Sequence, residues 1–165
     1  MPAAEPLVGP LRARLDSSAA LGVPAHVTVL YPFVPPDRID AAVTARLARV
    51  FGSVGGFDVV LDRTAWFDDR VIWLAPRDPE PFRELTRRVV AEFPEHPPYR
   101  GEFAGLMPHL TVGHGRPGAD LVSAEDAVRP GLPVIDRADA VTLLVQHEPG
   151  GRWHRAQRLP LARIG

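Results

Sequence analysis

Two short segments of the chain repeat one arrangement of histidine and threonine, and this repetition constrains the fold more than any other feature. Residues 25–33 read AHVTVLYPF, and residues 108–115 read PHLTVGHG. In each segment a threonine follows a histidine two positions later, inside an apolar run that favours a strand. Successive side chains of a strand point to opposite faces, so each histidine shares a face with its threonine. The sequence therefore predicts strands over 26–33 and over HLTVG, each presenting a polar pair.

Each H-x-T segment also ends one copy of a longer repeat. The first copy runs from a predicted helix over residues 5–15, EPLVGPLRARL, to PAHVTV. The second runs from the helix PEPFRELTRRVVAEF through a Pro/Gly-rich loop (94–108) to MPHLTV. A strand precedes the helix in the second copy alone, which we attribute to a chain that starts late or to a lobe that is one strand short. Two such copies predict a pseudo-symmetric α+β protein with two facing sheets.

The remaining pattern predicts short elements joined by many turns. A helix is expected over 38–51, with Asp37 as its N-cap. Strands are expected over GFDVVLDRTAWF and RVIWLAP around an Asp-Asp turn, and again near 138–146 and 153–161 around EPGGR. A further helix is expected near 119–129. Trp73 and Trp153 are expected to anchor the middle and final strands in the core.

Composition excludes several classes of function. The 165 residues contain no cysteine, which excludes disulfides, thiolate metal sites and cysteine nucleophiles. The 19 basic residues are all arginine, so Schiff-base and Walker-type lysine chemistry are excluded too. A net charge of −1 argues against a protein that coats long nucleic acid. We find neither an apolar stretch of the roughly 18–20 residues that span a bilayer nor an export signal, and expect a cytoplasmic location.

The residue types of the two motifs suit chemistry at phosphorus. His26 and His109 would supply two imidazoles, and Thr28 and Thr111 would supply two hydroxyls. Cleavage of a phosphodiester needs a base on the attacking oxygen and an acid on the leaving oxygen, and two histidines near neutral pKa can serve. Hydroxyl groups would stabilise the charge that builds on the other oxygens. A lone strand histidine is usually structural, but a pair that ends two copies of a repeat favours catalysis. The H-x-T spacing lacks a third nearby ligand, so we expect no metal.

The segments HVTV at 26–29 and HLTV at 109–112 resemble the paired signatures of the 2H phosphoesterase superfamily, and HVTVLYPF is most similar to its bacterial 2'-5' RNA ligase-like branch. The resemblance covers essentially the whole chain in element order and motif spacing. It implies one bilobal α+β domain over residues 1–165, with two pseudo-symmetric antiparallel sheets lining a central cleft and helices outside. It also implies catalysis without metal or cofactor on 2',3'-cyclic phosphates, 2'-5' linkages or related cyclic phosphodiesters. His26 and His109 would be the acid/base residues, in an order that stays open, and Thr28 and Thr111 the phosphate ligands.

Other side chains are weaker candidates for substrate binding. Tyr31 would stack on a base, although strand alternation points it away from His26 and favours a core position. Arg100, Arg116 and Arg155 would bind a second phosphate or the end of a nucleotide. The alternative is that they are solvent-exposed surface residues without a role in binding. For His114 we expect a surface position or a supporting role behind the site rather than catalysis.

The sequence leaves more than one function open. The first is the opening of a small cyclic nucleotide or a cyclic phosphate at an RNA 3' end, by a monomer with no membrane or protein partner. The second is the reversible 2'-5' RNA ligase reaction with the same four residues. A binding module that senses a nucleotide without turnover, and a structural protein in which the motifs are coincidental, are the alternatives outside enzymes.

Overall fold

The computed structural model describes residues 1–101, 105–114 and 119–163, and the chain forms two compact units. The first unit comprises Met1–Thr28, Asp58–Pro79 and Pro108–Arg137. The second unit comprises Val29–Phe57, Glu80–Met107 and Ala138–Gly165. Both H-x-T motifs therefore belong to the first unit, a placement that the repeat in the sequence did not predict.

Helices and strands are interspersed along the chain, as the sequence pattern predicts. In chain order they are α1 (Glu5–Leu15), α2 (Ser17–Ala20), α3 (Ala41–Gly52), β1 (Phe57–Phe67), β2 (Val71–Pro76), α4 (Glu80–Glu92), β3 (Leu110–His114), α5 (Ala119–Val128), β4 (Val134–Ala138), β5 (Ala140–Val145) and β6 (His154–Pro160). A four-stranded sheet has the order β3-β2-β1-β4, and a two-stranded sheet pairs β5 with β6. The β1–β2, β2–β3 and β5–β6 pairs are antiparallel, which confirms the predicted α+β class with antiparallel sheets.

Helices cover one face of the four-stranded sheet. Leu74 of β2 lies opposite Leu110 of β3, so their side chains point to the same face. Ile72 and Val112 lie two positions along each strand and share that face, and all four side chains are fully buried. α1 and α5 contact β3, and α5 also contacts β2. The apolar face of the sheet is therefore the face that these helices bury.

A separate apolar core holds the second unit together. It joins α3, α4 and the β5–β6 hairpin through the buried side chains of Leu47, Val50, Phe51, Val54, Leu85, Val89, Phe93, Leu159 and Leu161. Asp40 caps α3, because its carboxylate accepts a hydrogen bond of 2.8 Å from the Val43 amide. The predicted N-cap, Asp37, is wrong: it lies in a 3-10 turn, Pro36–Arg38, that precedes the helix.

The strand predicted over 26–33 is also wrong, because residues 21–35 form neither helix nor strand. Their backbone groups find partners outside any sheet. The Thr86 hydroxyl donates to the Val29 carbonyl at 2.7 Å, and the Tyr99 amide donates to the Tyr31 carbonyl at 2.7 Å. Alternating apolar residues alone did not decide the conformation, since the hydrogen bonds of this segment go to a helix side chain and a loop.

None of the helices in the described part of the chain combines the length and the apolar character needed to cross a membrane.

Gly113 in β3 lies at a close approach between the strand and its covering helices. A Cβ atom there would lie 2.8 Å from Leu15 Cβ and 2.9 Å from Leu121 Cδ2. Those contacts are shorter than packed side chains allow, and the β2–β3 register shifts beside this residue. Only glycine fits without displacing α1 or α5.

We expect Gly113→Ala to lower the free energy of unfolding by about 1–3 kcal/mol, the usual range for overpacking a core. Urea unfolding followed by circular dichroism measures it. Gly52→Ala is the matched control, because a Cβ at Gly52, at the end of α3, meets nothing within 4 Å. Equal stabilities for the two variants would contradict the close approach at β3.

Candidate active site

Both ring nitrogens of His26 have partners, and these partners define the state of the ring. Nδ1 lies 2.8 Å from the Pro24 carbonyl oxygen, which can only accept, so Nδ1 carries the proton of the neutral ring. Nε2 lies 3.1 Å from Thr28 Oγ1. Since Nε2 is then unprotonated, the Thr28 hydroxyl donates to it. The structure thus brings His26 and Thr28 into direct contact.

Burial lowers the pKa of His26 below its usual value of 6.5. Removal from water disfavours the imidazolium form, and this effect outweighs the hydrogen bond to Pro24, which acts in the opposite direction. His26 is therefore neutral at pH 7. In that state its Nε2 atom is a proton acceptor.

His109 directly precedes β3 and lies against two aromatic rings. Its ring centroid is 4.9 Å from that of Phe67, at an interplanar angle of 85°, and 5.7 Å from that of Trp73, at 60°. Phe67 and Trp73 stack on each other at 4.8 Å. These three rings form an aromatic cluster in which edge-to-face packing orients the imidazole of His109.

Thr111 lies on the same face of the sheet as His109. Trp73 is the residue opposite Thr111 in the β2–β3 pair, so the two side chains point to one face. His109 is two positions before Thr111 and follows the same alternation. This face is opposite to the one that Leu74 and Leu110 bury under the helices, as the H-x-T spacing predicts.

Trp73 is buried, with 6% of its surface exposed, which confirms the sequence-based prediction that it anchors a strand in the core. Its Nε1 atom is the one buried side-chain nitrogen or oxygen without a hydrogen-bond partner among the residues that the structure describes. Packing against Phe67 and His109, rather than a hydrogen bond, therefore holds the indole ring in place.

The weaker candidates that the structure describes belong to the second unit. Tyr31, in the second unit, is 52% exposed, so the core position favoured by strand alternation is wrong. Its ring meets the edge of Trp153 at 6.2 Å, and Trp153 is half-buried rather than a core anchor. Arg100 and Arg155 are exposed side chains of the second unit. Arg116 lies outside the described residues.

Sequence reasoning missed several residues around the two histidines. Phe67 and Trp73 meet His109 because strand pairing brings β1 and β2 beside it. Arg12 and Asp16 form an ion pair of 2.8 Å in the same unit as His26. Their spacing of four residues, from inside a predicted helix to the residue just after it, was the available signal. His114 is a surface residue as expected, but its Nδ1 lies 3.8 Å from Asp16 Oδ1.

No group of three or more histidine, aspartate or glutamate side chains within the described ranges is arranged to hold a metal ion.

The lowered pKa of His26 has a consequence for stability. Well above pH 6.5 the ring is neutral in both the folded and the unfolded chain. As the pH falls below 6.5 the unfolded chain binds the proton first, so the free energy of unfolding decreases by about 1.4 kcal/mol per pH unit until the folded ring is protonated too. We expect His26→Asn to remove this part of the slope. Urea unfolding of both proteins between pH 4.5 and 8 measures the difference, and parallel curves would contradict the lowered pKa.

Comparison with known proteins identifies the family. A family model described as the 2'-5' RNA ligase superfamily matches residues 1–150. Among solved structures, E. coli LigT complexed with 3'-AMP superposes with a TM-score of 0.56 at 16% identity, covering 95% of this chain and 90% of LigT. LigT in its apo form gives a TM-score of 0.51 at 18% identity, with 94% and 93% covered. Among curated proteins, none matches this sequence. The structures share the fold, and because the family model spans most of the sequence, the chain belongs to the 2'-5' RNA ligase superfamily of 2H phosphoesterases.

Proposed function

We propose that this protein opens 2',3'-cyclic phosphodiesters of nucleotides or RNA ends to monoesters, with His26 and His109 as the acid/base pair. The observation that carries the proposal is the state of His26: a neutral imidazole whose Nε2 lone pair faces a hydroxyl group. A general base needs such an atom within hydrogen-bond reach of the proton it accepts. Membership of an enzymatic family supports the same conclusion.

The proposed step is an addition of water to phosphorus. His26 Nε2 accepts a proton from the attacking water as the new P–O bond forms. The bond from phosphorus to the 2' or the 3' oxygen breaks, and protonated His109 donates its proton to the leaving oxygen. His26 ends the step protonated and His109 neutral, and proton exchange with solvent restores both.

Thr28 has two roles in this scheme. In the free protein its hydroxyl donates to Nε2 of His26. When phosphate binds, the hydroxyl turns to a non-bridging oxygen, and the Nε2 lone pair becomes available to water. Thr111 donates to another non-bridging oxygen, so that both hydroxyls stabilise the charge that develops there.

The substrate is proposed to be small. The net charge of −1 does not favour long structured RNA, which binds to basic surfaces. LigT is complexed with 3'-AMP, a nucleotide monoester of the kind that this reaction would release. Substrate binding by Tyr31, Arg100, Arg116 and Arg155, a cytoplasmic location, a monomeric state and a single domain over 1–165 stay predictions from the sequence.

The reversible 2'-5' RNA ligase reaction is the second candidate function, favoured by the description of the matching family. It would use the same four residues, with the proton transfers running in either direction. A nucleotide sensor without turnover is the alternative outside enzymes. It would bind the same ligand and release it unchanged.

We expect His26→Ala and His109→Ala each to reduce kcat/KM for 2',3'-cyclic nucleotides by roughly 10²–10⁴-fold, the usual effect of removing one acid or base. The assay contains EDTA and includes a short RNA ending in a 2',3'-cyclic phosphate. His147→Ala, an exposed histidine between β5 and β6, is the control expected to leave kcat/KM unchanged. Full activity in either motif variant would contradict the acid/base pair. Binding of nucleotide without turnover by the wild type would favour the sensor.

The pH dependence of kcat/KM identifies the base. If neutral His26 accepts the proton, kcat/KM should stay constant as the pH falls below 6.5. It should decline only when the pH reaches the lowered pKa of His26 and the ring becomes protonated. A profile from pH 4.5 to 9, measured in buffers of constant ionic strength, locates this limb. A decline centred at or above pH 6.5 would assign the base to another group.

A further inference from the structure

A buried ion pair lies at the end of α1. Arg12 and Asp16 are 1% and 4% exposed, and the guanidinium donates from Nε and Nη2 to Asp16 Oδ2 at 3.1 and 2.8 Å. Removing two charges from water is so costly that a buried ion pair is often no more stable than an apolar pair of similar volume. Stability alone is therefore a weak explanation for this pair.

The remaining polar atoms of the pair bind the segment that follows α1. Arg12 Nη1 donates to the Val23 carbonyl at 3.2 Å, a contact inside the protein interior. Asp16 Oδ1 accepts from the amide and the hydroxyl of Ser18 at 2.9 and 2.7 Å. The pair thus ties α1 to α2 and to residue 23. This segment has no sheet to hold it, since residues 21–35 form neither helix nor strand.

A second charged side chain of α1 holds the same segment two residues later. The Glu5 carboxylate accepts a hydrogen bond from the Ala25 amide. Arg12 and Glu5 therefore fix the backbone at Val23 and at Ala25. Pro24 lies between these two residues, and its carbonyl oxygen accepts the hydrogen bond from Nδ1 of His26.

We propose that Arg12 and Asp16 are positioning residues for His26: they hold the Pro24 carbonyl where it selects the Nδ1-protonated form of the ring and leaves Nε2 as the proton acceptor. This inference rests on the proposed acid/base role of His26. Arg12 and Asp16 act through the backbone and do not touch the substrate.

The two charges also act on His26 in opposite directions. The Arg12 guanidinium and the Met1 ammonium lower the pKa of His26, whereas the Asp16 carboxylate raises it. His114, 3.8 Å from Asp16, is a further titratable group beside the pair. Removing one partner would therefore change charge and geometry together, so a clean test removes both.

The test is the double variant Arg12→Met/Asp16→Leu, which removes the hold on Val23 without leaving an unpaired buried charge. We expect it to fold with a Tm moderately below that of the wild type: no unpaired buried charge remains, but the Val23 carbonyl and the Ser18 amide lose their hydrogen-bond partners. We expect kcat for a 2',3'-cyclic nucleotide to fall by about 10²-fold with KM unchanged, the usual effect of a misplaced catalytic group. In protein labelled with ¹⁵N-histidine, the His26 signals should change from one tautomer to a mixture.

Two further variants complete the test: one is a control for the loss of an ion pair, and the other keeps the charge of Arg12 while changing its hydrogen-bond geometry. Glu84→Leu/Arg88→Met removes an exposed Arg–Glu pair of the same four-residue spacing on α4, 2.6 Å apart, and should leave kcat and the His26 signals unchanged. Arg12→Lys keeps the positive charge but loses the planar fork that reaches Asp16 and Val23 together. It should shift the tautomer as the double variant does.

The tautomer readout is independent of turnover, so the two proposals fail separately. A wild type that turns over no cyclic phosphate, with a double variant that shifts the tautomer, would overturn the proposed function and support the positioning role. A folded double variant with wild-type kcat and an unchanged His26 tautomer would overturn the positioning role and leave the proposed function standing.

Discussion

The register between β2 and β3 decides which side chains of the first unit are buried and which face the other way. Leu74 opposite Leu110 places the apolar residues under α1 and α5, and Trp73 opposite Thr111 places the polar and aromatic residues on the reverse face. A slip of one residue would exchange the two sets, burying the Thr111 hydroxyl under helices. The spacing of H-x-T follows from this constraint: the residue between histidine and threonine belongs to the core.

The first motif reaches a similar arrangement by other means. His26 and Thr28 lie on a segment without a ladder of backbone hydrogen bonds, yet their side chains meet at 3.1 Å. Side chains of α1 hold the backbone just before this pair, and the Thr86 hydroxyl holds the Val29 carbonyl just after it. The two motifs therefore have the same spacing in the sequence but are held in place differently. A strand holds one motif, and a set of side-chain hydrogen bonds holds the other.

This difference explains how much of the molecule could be predicted from the sequence. Helix periodicity correctly predicted α4, whose Phe82, Leu85 and Val89 are buried, and the turn residues correctly predicted the β1–β2 hairpin. These signals are local, because neighbours within one helix or hairpin decide them. The failed strand over 26–33 depends on partners far away in the chain, and alternation along the segment carries no information about them. For the same reason the aromatic cluster around His109 was not predicted.

The two histidines should consequently differ in what disturbs them. The rings of Phe67 and Trp73 pack against the imidazole of His109, and among the residues that the structure describes Trp73 Nε1 has no hydrogen-bond partner. Packing of this kind depends on volume and ring geometry, and apolar groups of similar shape can replace one another. His26 is oriented by hydrogen bonds to a carbonyl that buried charges hold in place, and an apolar group cannot donate to a carbonyl. The buried ion pair can therefore be explained without a gain in stability, because it fixes the direction of a carbonyl group, which apolar packing does not do.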